Sequence, residues 1–253
     1  IDSLCKFGRP MDACKILDKM WNFCIPSVHT YTILMDTLCR LGCWAEAETM
    51  LDEMMQRGCV PNCLTYSAWI LGCCRAKNFA MLSTFMKESE GKGFVPDAVS
   101  YNIIVDTLCK AGKMVEAELV IEEMATSECR PTIVTYNAMI NGYCKSERLQ
   151  EAIQMLHLLA ESGLIPNVNS YNPLIEGYCK TKQFDKALRL FEMMDENDCE
   201  PDLSTYYIII RAFCMSNRLA DALELFKQMK VKGIIPEVRF YRTLYGCLKD
   251  SGQ

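Results

Sequence analysis

Histidine is almost missing from this chain of 253 residues. Only His29 and His157 occur, and their surroundings, His29-Thr30-Tyr31 and His157-Leu158-Leu159, form no HExxH or HxE pattern. The commonest metal and acid–base chemistry is therefore thinly provided for. Also absent are a G-x4-G-K-[ST] phosphate loop, a G-x-G-x-x-G following a strand and a G-x-S-x-G elbow. No run approaches the ~20 uncharged apolar residues that a membrane span needs. The opening Ile1-Asp2-Ser3-Leu4-Cys5-Lys6 does not look like a signal or transit peptide, so any targeting sequence is expected outside the residues given. Neither charge sign is in large excess. Lysine and arginine total 27 against 32 aspartates and glutamates, a net charge of −5 that argues weakly against a polyanionic partner. These absences disfavour an enzyme, and no cofactor, metal, membrane or small-molecule substrate is expected.

Cysteine, by contrast, is plentiful, with 16 residues. An even count would suggest a disulfide framework in a small secreted protein. Here Cys39, Cys74, Cys109, Cys144, Cys179 and Cys214 recur at a constant step of 35, each inside an apolar run. Equivalent sites in successive repeats are too far apart for the short Cα separation of a disulfide, so buried reduced thiols are expected. Zinc is a poor alternative. Cys39/Cys43 and Cys59/Cys63 have a tolerable spacing, but no neighbouring repeat reproduces them and no histidine completes a site. A reducing compartment follows.

The same step governs two further columns: Tyr31, Tyr66, Tyr101, Tyr136, Tyr171, Tyr206 and Tyr241, and Pro26, Pro61, Pro96, Pro131, Pro166, Pro201 and Pro236. A fixed period of this length is the mark of a repeat architecture. Within one repeat, Val134-Thr135-Tyr136-Asn137-Ala138-Met139-Ile140-Asn141-Gly142-Tyr143-Cys144-Lys145 carries an apolar stripe at helical spacing. The polar break Ser146-Glu147-Arg148 precedes a second run, Leu149 to Ala160, rich in strong helix formers. Gly163 and then Pro166 stop that helix before the next repeat. One hairpin cannot bury both of its apolar faces, so stacked neighbours must do it. The predicted fold is all-α, a right-handed superhelical solenoid of 35-residue helix-turn-helix repeats. The repeats run 28–62, 63–97, 98–132, 133–167, 168–202 and 203–237, flanked by truncated repeats at 1–27 and 238–253, as in a cut piece of a longer array. The second helix of 63–97 is the most aberrant, with Leu82 and Ser89 where neighbours have Ala and mostly Met or Leu. Trp21, Trp44 and Trp69 fall at different phases and read as individual packing or surface residues.

A bihelical repeat reading V-T-Y-N-x-x-I-x-x-x-C-K, then E-A, M, G and P-D/N, resembles the pentatricopeptide repeat (PPR), of the P type and in restorer-of-fertility-like style. Val99-Ser100-Tyr101-Asn102 to Cys109-Lys110 and Pro201-Asp202 carry the likeness, which covers essentially the whole chain. The tetratricopeptide repeat differs in period, and its W-x2-L-G-x2-Y signature is absent.

The resemblance implies a modular binder of single-stranded RNA, one nucleotide per repeat. It also implies that bases are read by the residue after each column Tyr, paired with the residue after the following column Pro. Those pairs are Thr32/Asn62, Ser67/Asp97, Asn102/Thr132, Asn137/Asn167, Asn172/Asp202 and Tyr207/Glu237. An ionised Asp only accepts and so suits the imino N–H of G or U, whereas Asn can donate to the ring nitrogen of A or C. By family analogy a short hydroxyl goes with a purine and a first-position Asn with a pyrimidine. The implied core is 5′-A-G-C-(C/U)-U-3′, with Tyr207/Glu237 undecided. Small polar residues also serve simply to start helices and turns.

Two residues before each column Tyr, the family wedges an apolar side chain between bases; Leu64, Val99 and Val134 fit, whereas Asn169, Ser204 and Arg239 do not. Looser contact with RNA is expected beyond Asn169. After the cysteines comes a basic column, Arg40, Arg75, Lys110, Lys145 and Lys180, which breaks at Met215. It suits a phosphate backbone, and equally the negative end of a helix dipole. The zinc-deaminase signature that some PPR proteins append is missing, so any catalysis falls to a protein partner or to sequence not given. The resemblance implies a mitochondrion or chloroplast and roles in RNA processing, stabilisation, splicing or translation. The competing expectation is a helical scaffold that binds protein.

Overall fold

The 35-residue period is built as paired helices. The computed structural model describes residues 1–75, 97–126 and 129–250, and among these fourteen helices and no strand occur. They form two compact units, residues 1–131 and 132–253. The first holds Asp2–Lys6, Pro10–Met20, Val28–Arg40, Trp44–Gln56, Cys63–Arg75, Ala98–Lys110 and Met114–Thr126. The second holds Ile133–Lys145, Leu149–Glu161, Val168–Lys180, Phe184–Glu196, Leu203–Met215, Leu219–Val231 and Val238–Asp250. The expected second helix of repeat 63–97, with Leu82 and Ser89, lies outside the described residues.

Within each compact unit, the first helix of a repeat packs on the first helix of the next. Val28–Arg40 meets Cys63–Arg75, which meets Ala98–Lys110; in the second unit Ile133–Lys145, Val168–Lys180, Leu203–Met215 and Val238–Asp250 follow in turn. Each second helix folds back on its own first helix. Alanine makes that approach close: Ala47, Ala117, Ala152, Ala187 and Ala222 are wholly buried at one phase of the second helices. Between first helices the spacing is tighter still at Gly72, where an added Cβ would overlap Cys39 Cβ. The solenoid of helical hairpins is thus the architecture of this chain.

The column tyrosines are buried along the first helices and reach the far end of their own hairpin. The Tyr136 hydroxyl bonds Ser162 Oγ at 2.9 Å, Tyr171 accepts from Asn197 Nδ2 at 3.2 Å, and Tyr101 donates to Glu123 at 3.2 Å. Tyr206 is equally buried, but its hydroxyl has no partner among the described residues, and Lys232, at the phase of Ser162 and Asn197, pairs with Asp195 instead. Tyr241 departs from the column and stands exposed, while the preceding Phe240 is wholly buried.

The thiols behave as a reduced column. Cys39, Cys109 and Cys179 are buried and Cys144 and Cys214 are partly so, none of them in a disulfide. Burial pushes the Cys39, Cys144, Cys179 and Cys214 thiols up to about 12, far from the thiolate that metal binding or attack requires. Among the described residues no group of three potential ligands could hold a metal ion.

The turn inside the hairpin needs a left-handed residue. The first unit supplies glycine, Gly42 and Gly112 at φ 78° and 75°, whereas the second uses Glu147, Lys182 and Asn217 at φ 60°, 59° and 57°. Asparagine tolerates that conformation better than glutamate or lysine.

Candidate nucleic-acid interface

The second member of each candidate reading pair starts a helix. An N-cap side chain must accept, because the backbone groups it serves are N–H donors. Asn62 Oδ1 accepts from the Thr65 amide at 3.0 Å, Asp97 Oδ1 from Ser100 at 2.8 Å, Asn167 Oδ1 from Asn169 at 3.0 Å and Asp202 Oδ1 from Thr205 at 2.8 Å. That demand fixes the amide orientation of each Asn: oxygen toward the helix, Nδ2 away from it. In Asp202 the same demand commits Oδ1 and leaves Oδ2, an acceptor, in the place Nδ2 occupies in Asn62 and Asn167. Thr132 caps through a reciprocal pairing with Thr135, at 3.0 Å from its amide and 3.1 Å between hydroxyls.

The first members, Thr32, Ser67, Asn102, Asn137, Asn172 and Tyr207, are half-buried, one turn into their first helices. Asn137 touches its mate directly, donating from Nδ2 to Asn167 Oδ1 at 3.2 Å. Other pairs meet through a third residue. Thr205 Oγ1 lies 2.8 Å from Asn172 Oδ1 and 2.9 Å from Asp202 Oδ1, and its one proton serves both. Thr65 Oγ1 stands 3.0 Å from Thr32 Oγ1 and 3.1 Å from Asn62 Oδ1, and Ser67 Oγ lies 3.4 Å from Ser100 Oγ. Ser170 Oγ donates to Asn137 Oδ1 at 2.6 Å. Asn102 and Thr132 belong to different compact units.

These bridging hydroxyls are residues that inspection of the sequence passed over. Thr65, Ser100, Thr135, Ser170 and Thr205 are the buried polar side chains at the start of successive first helices, each fully enclosed. Their signal was available, since the residue before the column Tyr is Thr or Ser from Thr30 to Thr205 and becomes Phe at Phe240.

That change isolates the last pair. Tyr207 and Glu237 do not meet. The Phe240 ring packs edge-on against Tyr207 with centroids 5.1 Å apart, and the Arg239 guanidinium lies over the Tyr207 ring at 4.7 Å. Glu237 spends its carboxylate on Arg239 Nε, 3.1 Å away.

The candidate wedge residues Leu64, Val99 and Val134 are 69%, 60% and 57% exposed, so they are not spent on helix-start packing. Asn169, Ser204 and Arg239 at that phase are exposed as well. The basic column is more restrained than its charge suggests. Arg40 pairs with Asp36 at 3.1 Å, Lys110 with Asp106 at 2.6 Å and Lys180 with Glu176 at 2.9 Å, each one helical turn back. Lys145 has Asn141 at that place and makes no ion pair among the described residues. The Arg75 side chain lies outside them.

A face of half-buried polar pairs, exposed wedges and cations, repeated along stacked first helices, defines a modular helical-repeat protein. The PPR repeat family matches residues 26–75, 96–145, 131–172 and 166–215, and the PPR repeat matches 1–25 and 204–234; the chain belongs to that family. No curated protein matches it. Among solved structures it is similar to the pentatricopeptide repeat protein PPR10 from maize, at 29% identity and a TM-score of 0.74 over 95% of this chain and 35% of that one. This chain thus spans about a third of that relative's length. PPR10 in complex with an 18-nt psaJ RNA element matches at 24% identity and a TM-score of 0.57, covering 98% of this chain and 42% of that one. The PPR domain of Arabidopsis thaliana protein-only RNase P 1, in complex with tRNA, matches at 14% identity and a TM-score of 0.57, covering 71% of this chain and 95% of that domain.

Proposed function

We propose that this chain binds single-stranded RNA with one nucleotide per 35-residue repeat and the core preference 5′-A-G-C-(C/U)-U-3′. Thr32/Asn62, Ser67/Asp97, Asn102/Thr132, Asn137/Asn167 and Asn172/Asp202 read the bases. The observation that carries the reading is the split use of the capping side chain. One atom serves the helix, while Nδ2 of Asn62 and Asn167 is left to donate to A or C, and Oδ2 of Asp202 to accept from the imino N–H of U. The exposed Leu64, Val99 and Val134 wedge between bases, which stacking favours whatever the sequence. Arg40, Arg75, Lys110, Lys145 and Lys180 follow the phosphates. RNA bound to PPR10 and to the RNase P 1 domain is consistent with this use of the fold. The chain acts by occupying or remodelling RNA during organellar processing, stabilisation, splicing or translation, in a mitochondrion or chloroplast, and a partner supplies any catalysis.

The test is equilibrium binding of 5′-AGCCU-3′ and 5′-AGCUU-3′ against scrambled five-mers; equal affinity for all would sink the base assignments. A second reading, a protein-binding scaffold, draws on the carboxylates that already neutralise Arg40, Lys110 and Lys180. A gel shift against a randomised single-stranded RNA pool separates the two, since a protein scaffold leaves that pool unshifted.

A further inference from the structure

The sixth reading pair is closed by its own neighbours, yet a cavity opens one turn further along the same helix. Arg239 lies over the Tyr207 ring and pairs with Glu237 Oε2, so the two side chains of the pair are tied to Arg239 rather than brought together. The cavity, about 340 Å³, lies between the Val168–Lys180 and Leu203–Met215 helices and is lined by Tyr207, Ile208, Ala212 and Met215, with Lys180, Lys182 and Arg211 among its polar members. That volume is at the lower end of sites that hold small ligands, with the usual mix of apolar lining and a few polar groups. Three cations face a single carboxylate, Glu176.

Arg211 is the telling residue. At its phase the preceding repeats carry Asp36, Leu71, Asp106, Asn141 and Glu176, none of them basic; here the charge is positive. The reversal falls in the repeat where Met215 interrupts the basic column. Arg211 is exposed and makes no ion pair among the described residues, so its charge is not consumed by the fold.

We propose that this cavity takes the nucleotide that follows the five-base core, holding its base against Tyr207, Ile208 and Met215 and its phosphate by Arg211 with Lys182. The inference rests on the RNA-binding reading above. The occupant is a nucleotide of the same strand because the lining pairs an apolar slot with excess positive charge, in line with the basic column of the preceding helices. The site is indifferent to base identity. Every base has a π-face, and no polar pair is placed to question its edge.

The experiment compares 5′-AGCCU-3′ with its four 5′-AGCCUN-3′ extensions and with an extension whose sixth sugar is abasic, by fluorescence anisotropy across a salt series. All four bases are expected to tighten binding by at least about fivefold, and the abasic extension by less. Arg211→Gln should remove most of the extension's gain and flatten the salt dependence by ~0.7 log units. Circular dichroism and melting of the variant show that it is folded. No gain from a sixth nucleotide, a preference for one base above tenfold, or an unchanged salt slope in Arg211→Gln overturns the proposal. Failure of the unextended core to outcompete scrambled five-mers is a separate result, which strikes the underlying reading instead.

Discussion

The repeats beginning at Val168 and Leu203 are neighbours with first helices of equal length, and they treat the same two positions in opposite ways. In the former, Asn172 and Asp202 share the Thr205 hydroxyl and keep one polar atom each uncommitted to the fold. In the latter, the hydroxyl is replaced by Phe240, and Arg239 reaches back over Tyr207 while binding Glu237. The difference teaches that whether a candidate pair meets depends on a third residue. A short buried hydroxyl brings the pair together, and a bulky ring at that place keeps it apart.

Breaking the aromatic side of the contrast should cost most. Phe240 is wholly buried, so Phe240→Ala should lower stability by about 3–5 kcal/mol in chemical denaturation. Removing the hydroxyl on the other side is milder. Thr205→Val leaves Asn172 and Asp202 without their shared donor, for an expected loss of about 1–3 kcal/mol and weaker discrimination at the fifth base. Asp202→Asn sharpens the comparison without disturbing the helix cap. It should turn the fifth preference from U to C by about tenfold, or ~1.4 kcal/mol, with an unchanged melting temperature. Competition between 5′-AGCCU-3′ and 5′-AGCCC-3′ reads the change. The smallest effect concerns the turns. Glu147 holds φ 60° where the first unit has glycine, and Glu147→Gly should raise stability by at most about 1 kcal/mol, measured as a shift in the denaturation midpoint.

The hairpin architecture was legible because its causes are local and repeated. An apolar stripe, a polar break, a run of helix formers and a Gly-then-Pro stop recur every 35 residues, and the helices Ile133–Lys145 and Leu149–Glu161 fall where those signals put them. What escaped was whatever depends on contact between repeats. Thr205 reads as an ordinary third residue of a helix until its neighbour Asn172, 33 positions earlier, is seen beside it. Arg239 reads as a poor wedge, and its reach to the Tyr207 ring is visible only in the folded chain. The cations of the basic column are plain in the sequence, whereas their tempering by Asp36, Asp106 and Glu176 one turn back shows in the ion pairs.

The division of labour within Asn62, Asn167 and Asp202 has a consequence for descent. Because the oxygen that starts the helix is common to both residue types, an exchange between aspartate and asparagine keeps the helix cap at almost no cost to folding, and on the proposed reading it would change the base a repeat prefers. On that reading, recognition could drift one base at a time while the cap, and with it the hairpin, is kept.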